Sequence, residues 1–356
     1  MRKHADNVQP TRFGSMLLAT TVVVGSALLA AMSSWAQTGA APAAGADAWK
    51  SVVAAGQKEG RVALYSTAAN PLLARLKVDF EAANPGIVLE LSRYSTGELL
   101  SKVSQERATG ADGADVIIAT DIAWAEERLK EGAVKAPNGP NVKTWPSKYL
   151  LRGAIPVLSL EPIIIAYNTN LVKVPIDGYP DLLKPELKGK LGTMDLSATS
   201  VIAFYDWLEK THGAEYLARF ARQQPKLYPT APSGGQSVAS GEIPAVSFMS
   251  PANIAPLIKQ GAPVKLVFPQ PRFGFRLVGV ELGWSKRPNA TQVFMDYVMS
   301  PRAQAVWHGS GESASPLKNI TGSLDADSIE PYDPAPYTAE FVKTYTAKWN
   351  GLFKGR

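Results

Sequence analysis

The residues best placed for chemistry in this 356-residue chain are short hydroxyl side chains rather than acids, bases or thiols. They fall in five clusters: Ser66-Thr67, Ser95-Thr96-Gly97, Thr120-Asp121, Ser197-Ala198-Thr199-Ser200 and Ser233-Gly234-Gly235. Each lies between a segment that reads as a strand and one that reads as a helix. In open α/β sheets, ligands collect beyond the carboxyl ends of strands, where helix N-termini present free N–H groups and a partial positive charge. One such Ser or Thr is ordinarily an N-cap. Five clusters spread over two halves of the chain point to an anion cleft, with Ser66, Thr67, Ser95, Thr96, Thr120, Asp121, Ser197, Thr199, Ser200, Ser233 and Gly234 as candidate ligand residues. Arg272 and Arg276, with Arg93, are candidates for a bidentate clamp, because a guanidinium matches two oxygens at once. Trp124, Phe273 and Phe275 are candidates for an apolar wall. Asp121 is the one acid in these loops, too few for a polyamine site.

The catalytic inventory is poor. There is no Cys, which removes disulfides, thiolate metal sites, cysteine nucleophiles and the lipidated cysteine of a lipoprotein. Of three His, His4 lies near the start of the chain, His212 reads as a partner of a helix C-terminus, and His308 falls in a Gly/Ser-rich turn whose role stays open. No nucleophile elbow, phosphate-binding Gly-rich loop, zinc-helix motif or dinucleotide fingerprint is found. We therefore expect a binding protein and not an enzyme, with no cofactor and no metal; a secreted enzyme with an unrecognised cofactor is the competing class. The net charge of +6 is spread thinly, without the clustered Lys/Arg that a nucleic-acid groove needs.

The elements that must position these loops alternate. Arg61–Tyr65, Ile87–Leu91 and Asp115–Ala119 read as strands. Leu72, Leu73, Leu76 and Phe80 recur at helical spacing, and Ser95 with Glu98 forms a capping-box signature. The pattern restarts after Pro162–Tyr167, with a strand at Lys190–Asp195, a helix over Thr199–His212 and further units at Gln236–Ala239, Ala245–Met249 and Val264–Phe268. Val278–Trp284 is extended and leads to a helix near Thr291–Met299. The fold class is α/β: two lobes, each a mainly parallel sheet with helices on both faces, joined by crossing hinge strands. The expected divisions are a secretory leader over 1–36 (basic Arg2, Lys3 and Arg12, apolar Met16–Met32, cleavage after Ala36) and a flexible tether over 37–47. The first lobe follows over 48–161, the second over 162–277, a return to the first over 278–318, and a turn-rich segment with a terminal helix over 319–356. The mature protein is expected to be exported and soluble.

Several fragments occur in the order found in one family. They are Glu59-Gly60-Arg61-Val62-Ala63-Leu64-Tyr65-Ser66, Tyr167-Asn168-Thr169-Asn170, and Asp181-Leu182-Leu183 followed by Pro185-Glu186-Leu187-Lys188-Gly189-Lys190-Leu191. Ser240-Gly241-Glu242, Gly261-Ala262-Pro263-Val264 and Ser300-Pro301-Arg302-Ala303-Gln304 complete the series. The chain resembles a periplasmic solute-binding protein of an ABC importer, in the type II group containing ferric-iron, thiamine, phosphonate and sugar-phosphate binders. The resemblance implies two lobes that close on a solute, a monomer in a Gram-negative periplasm, and a membrane permease as partner. A subunit delivering its ligand to a sensor is the variant of this reading. The ferric branch carries adjacent tyrosines where this chain has Ala245-Val246-Ser247-Phe248-Met249-Ser250-Pro251. Tyr65, Tyr94, Tyr205 and Tyr228 remain, with no Tyr-Tyr pair, so a small organic anion (carboxylate, phosphonate or phosphate ester) ranks first and ferric iron second.

Overall fold

The computed structural model describes residues 43–355. The segment read as a leader, and the tether as far as Pro42, lie outside the described residues. In chain order the elements are α1 (Ala43–Glu59), β1 (Arg61–Ser66), α2 (Asn70–Ala83), β2 (Val88–Arg93), α3 (Thr96–Thr109), β3 (Val116–Ala119), α4 (Ile122–Lys130), β4 (Val134–Lys135), β5 (Leu150–Leu151) and β6 (Ile155–Pro162). Next come β7 (Ile164–Asn168), β8 (Leu191–Met194), α5 (Thr199–His212), α6 (Tyr216–Arg222), β9 (Lys226–Tyr228), α7 (Ala231–Ser240), β10 (Ala245–Met249), α8 (Pro251–Lys259) and β11 (Val264–Val267). The chain finishes with β12 (Arg272–Leu282), α9 (Pro288–Val298), α10 (Pro301–His308), β13 (Ile329–Pro331) and α11 (Ala339–Phe353). Helix α1 thus begins inside the stretch expected to be a tether, since its Ala-rich sequence favours helix once Trp49, Val52 and Val53 have a core to pack on.

Two mixed sheets divide the fold. The first has the order β2-β1-β3-β12-β6-β5, with β4 and β13 also pairing β12; the second is β11-β7-β10-β8-β9. The expected parallel pairing holds for β1 with β2 and β3, and for β8 with β9 and β10. The crossing strands depart from it: β12 runs antiparallel to β3 and β6, and β7 antiparallel to β10 and β11. A strand that returns from the other lobe enters its sheet from the opposite end, so it must run against the βαβ strands.

The chain crosses between sheets three times. It leaves the first sheet at Pro162, where Ile163 N donates to Phe273 O at 2.8 Å, and returns along β12. Because β12 lies in the first sheet from Arg272 onward, the return comes earlier than the expected Val278. Gly274 allows the two hinge strands this approach: a Cβ there would sit 2.6 Å from Glu161 O and 2.5 Å from Ile329 Cγ2. The third crossing follows β13, which pairs with β12, and leads to α11, whose Tyr345 and Trp349 are buried in the second lobe's aromatic core. That core holds Tyr179, Phe204, Tyr205, Trp207 and Phe220, while Leu64, Leu72, Leu76, Phe80, Phe294 and Trp307 fill the first lobe. Among the described residues no helix is long and apolar enough to cross a membrane.

Candidate functional site

A cleft of about 410 Å³ gathers loops from both lobes. The first lobe supplies Thr96, Gly97 and Leu100 at the start of α3, and Thr120, Asp121, Ile122 and Ala123 between β3 and α4. The second supplies Ser197, Ala198, Thr199 and Ser200 at the start of α5. Tyr332, Pro334 and Tyr337, between β13 and α11, close the remaining side. Three helix N-termini therefore border one space.

The local sequence explains how each end is finished. At α3, Ser95 N and Oγ both donate to Glu98 Oε2, at 3.0 and 2.7 Å, which occupies that cap and holds the Glu98 carboxyl below its usual range. At α4, Asp121 Oδ1 accepts from Trp124 N at 2.9 Å. Helix α5 differs. Its N-cap is Ala198, which has no side-chain oxygen to satisfy the first-turn N–H groups of Thr199 and Ser200. An uncapped N-terminus carries both donors and the positive end of the dipole into the cleft.

The lining holds one acid, Asp121, and no Lys or Arg. The hydroxyls of Thr96, Thr120, Ser197, Thr199 and Ser200 make no hydrogen bond to another described residue, unlike those of Ser66 and Ser95. Tyr337 Oη donates to Asp206 Oδ2 on α5 at 2.8 Å. The Tyr332 phenol is pushed up to about 12 by burial and by the nearby negative charges of Asp121 and Asp333, so it stays a protonated donor at neutral pH.

Of the residues singled out in the sequence, Thr96, Thr120, Asp121, Ser197, Thr199 and Ser200 meet in this cleft. The others do not line it. Ser66 is fully buried, its Oγ donating to Ile118 O at 3.1 Å and accepting from Ala68 N at 3.0 Å, because β1 is covered on both faces. Thr67 Oγ1 is buried without a partner. Ser95 is exposed and engaged by Glu98. Ser233 lies inside the first turn of α7, whose cap is Thr230, and Gly234 is buried facing Tyr228 and Val246. Arg272 reaches Ser328 Oγ at 2.9 Å and stacks over Phe268, and Arg276 is half-buried on β12 away from the cleft, so neither forms the expected clamp. Arg93 is exposed at the end of β2. Trp124 faces a separate pocket with Trp284, Arg107 and Arg128, and Phe273 is core. Phe275 does not line the cleft; its ring centroid lies 6.1 Å from that of Tyr332, which does.

The histidines are corrected by their surroundings. His308 ends helix α10 instead of lying in a turn; it is fully buried, with Nδ1 2.7 Å from Ser313 Oγ and Nε2 3.2 Å from Leu158 O. The carbonyl must receive Nε2–H, and burial holds the ring neutral, so Nδ1 accepts from the serine. His212 is packed among Tyr179, Trp207 and Tyr216 in tilted and edge-on contacts, and burial lowers its pKa, so it favours the neutral form over a charged partner for the helix end. The sequence reading missed Tyr332, Pro334 and Tyr337. The available signal was two tyrosines among Pro331, Pro334 and Pro336, a stiff segment too polar for a core. No group of three or more His, Asp or Glu able to hold a metal occurs among the described residues.

The sequence profile of the family described as bacterial extracellular solute-binding protein matches residues 61–311. The chain belongs to this family. A search of curated proteins found no significant match. Among solved structures, this solute-binding protein is similar to the substrate binding protein of an ABC transporter from Agrobacterium tumefaciens, at 16% identity and a TM-score of 0.72 over 82% of this chain and 94% of that one. It is also similar to AfuA from Actinobacillus pleuropneumoniae, solved with fructose-6-phosphate bound (19%, TM-score 0.61, 83% and 99%). A third is iron-bound HitA from Pseudomonas aeruginosa (15%, TM-score 0.62, 83% and 98%). These likenesses establish the fold of this solute-binding protein as the two-lobed periplasmic-binding type.

Proposed function

We propose that this protein is the solute receptor of an ABC importer, capturing a small organic anion between its lobes in the periplasm and handing it to a membrane permease. The observation that carries the reading is the convergence of three helix N-termini, one of them uncapped, with five unengaged hydroxyls on one cleft. Dipole ends and neutral donors can neutralise a carboxylate, phosphonate or phosphate ester without a Lys or Arg in the lining. Size supports an organic solute. A cleft of 410 Å³ has the volume of roughly fourteen waters at ~30 Å³ each, far more than one bare ion needs. Donors from both lobes meet the solute together only in the closed form, so ligand binding selects closure.

Thr199→Ala combined with Ser200→Ala removes two donors while leaving the helix backbone intact. Titration calorimetry is expected to show affinity for the anion falling by about ten- to a hundredfold, with the melting temperature of the free protein little changed. Unchanged affinity would remove α5 from the site.

A second reading has its own observation. Tyr332, Tyr337 and Asp121 bring two phenol oxygens and a carboxylate to the same cleft, and hard oxygen donors of this kind suit ferric iron; HitA is described as iron-bound. It ranks second because Tyr337 is engaged by Asp206, which leaves Tyr332 as the unengaged phenol of the lining, beside the Asp121 carboxylate.

A further inference from the structure

The three residues that close the cleft lie outside the part of the chain that matches the family profile. The match ends at residue 311, whereas Tyr332, Pro334 and Tyr337 belong to the stretch linking β13 to α11. That stretch is held at both ends. Tyr332 N donates to Gly274 O at 2.8 Å on the hinge strand β12, and Tyr337 Oη is bonded to Asp206 on α5 of the second lobe. Between these anchors the prolines at 334 and 336 restrict the backbone.

The rings are held as firmly as the backbone. Tyr332 and Tyr337 lie 5.7 Å apart at 42°, Phe275 meets Tyr332 at 78°, and Phe341 meets Tyr337 at 5.2 Å and 87°. Two fixed aromatic side chains and a set of anion donors line the same cleft, which makes it bipartite in chemistry: polar donors for charge, ring carbon for an uncharged body. A compact aliphatic anion would contact the donors and leave the rings unused.

We propose that the segment Pro331–Thr338 determines specificity in this cleft, and that Tyr332 and Tyr337 select an anion carrying a planar, unsaturated ring. The inference rests on the anion reading of the α5 end and adds to it the nature of the ligand's uncharged part. Pro334 keeps the two rings at a fixed spacing, and the Tyr332 hydroxyl supplies one further donor at the ring's edge.

Phenyl phosphate and methyl phosphate test it, since they share the anion and differ in the body. Titration calorimetry on the purified protein is expected to give phenyl phosphate an advantage of about tenfold, the worth of ring stacking plus the extra apolar burial. Tyr332→Ala and Tyr332→Leu should bring the ratio of the two affinities to about one, and Tyr332→Phe should keep it near tenfold. Equal binding of the two probes by the wild-type protein overturns the proposal, as does a preference that survives in both Tyr332→Ala and Tyr332→Leu. The Thr199→Ala/Ser200→Ala protein separates the two claims: if it weakens both probes equally while the wild type shows no phenyl preference, the anion site stands and the aromatic wall fails. Absence of binding by either probe at millimolar concentration overturns both.

Discussion

Replacing His308 by Gln is expected to change how the protein responds to acid more than any other single substitution outside the cleft. The folded ring is held neutral, its pKa lowered to about 3 by burial, with only the Leu158 carbonyl opposing. An unfolded His titrates near 6.5. As pH falls from 6.5 toward 3 the unfolded chain takes up a proton that the folded ring refuses, so stability contributed by the neutral ring is present above 6.5 and lost below it. At 1.36 kcal/mol per unit, the loss reaches about 3 kcal/mol by pH 4.

Two buried carboxyls act with the opposite sign. Glu161 is raised to about 7 by burial and the neighbouring Glu312; Glu281 is raised to about 7 by burial, against its bonds from Gln292. Both favour the folded, protonated state as pH falls from about 7 toward the ordinary carboxylate range. The wild-type profile therefore contains cancelling contributions, and the informative quantity is the difference between proteins. Urea unfolding at pH 6.5 and pH 4 should show wild type losing about 3 kcal/mol relative to His308→Gln over that interval. Gln retains a donor for Leu158 O, which keeps the fold measurable. Parallel pH profiles for the two proteins would mean that the buried ring is charged or reached by water.

The second large effect concerns the helix that anchors the cleft's outer wall. Trp349 of α11 is fully buried, 4.5 Å from Phe353 in a stacked arrangement and 5.5 Å from Tyr205. Truncation of such a side chain to Ala costs about 3–5 kcal/mol. Phe353 also meets Tyr205 and Phe220, and the polar ties of α11 are Tyr345 Oη to Glu209 at 2.7 Å, Lys348 Nζ to Glu209 at 2.6 Å, and Lys354 Nζ to Asp195 at 2.7 Å. The two ion pairs, whose lysines are about half exposed, contribute little by comparison. In Trp349→Ala, amide hydrogen exchange should rise first in α11 and in residues 331–338, while β1 and β3 of the first lobe keep their protection. Ligand affinity should fall with it, because the tyrosines lose their support. Uniformly faster exchange across both lobes would mean that α11 is part of the global folding unit and not a separate anchor.

The legible part of the fold was local. Thr199–His212 was readable as a helix because Val201, Phe204, Tyr205 and Leu208 repeat on one face, and Asp121 and Glu98 announced their caps by position alone. The site was half legible for the same reason: hydroxyls at helix starts carry a positional rule, and six of the expected residues share the cleft. Ser66 does not line the cleft because β1 is covered on both faces, so its hydroxyl is spent on Ile118 O and Ala68 N inside the sheet. Arg272 failed because charge type says nothing about the nearer partner, here Ser328, that β13 brings alongside β12. Tyr332 and Tyr337 were missed because the tyrosine- and proline-containing segment signals a stiff turn but not where it docks, and that is set by its packing on the second lobe's core. The absent cap at Ala198 was in plain view, and its meaning came only from the space in front of it.

Native mass spectrometry of the purified protein, as isolated and after exposure to ferric citrate, tests the central claim most directly. An organic anion seated at the N-termini of α3, α4 and α5 predicts a bound organic mass that is weakened by Thr199→Ala/Ser200→Ala, with no increment of iron. An iron increment with a visible phenolate absorbance, lost in Tyr332→Phe, would contradict the account and make the cleft a ferric site.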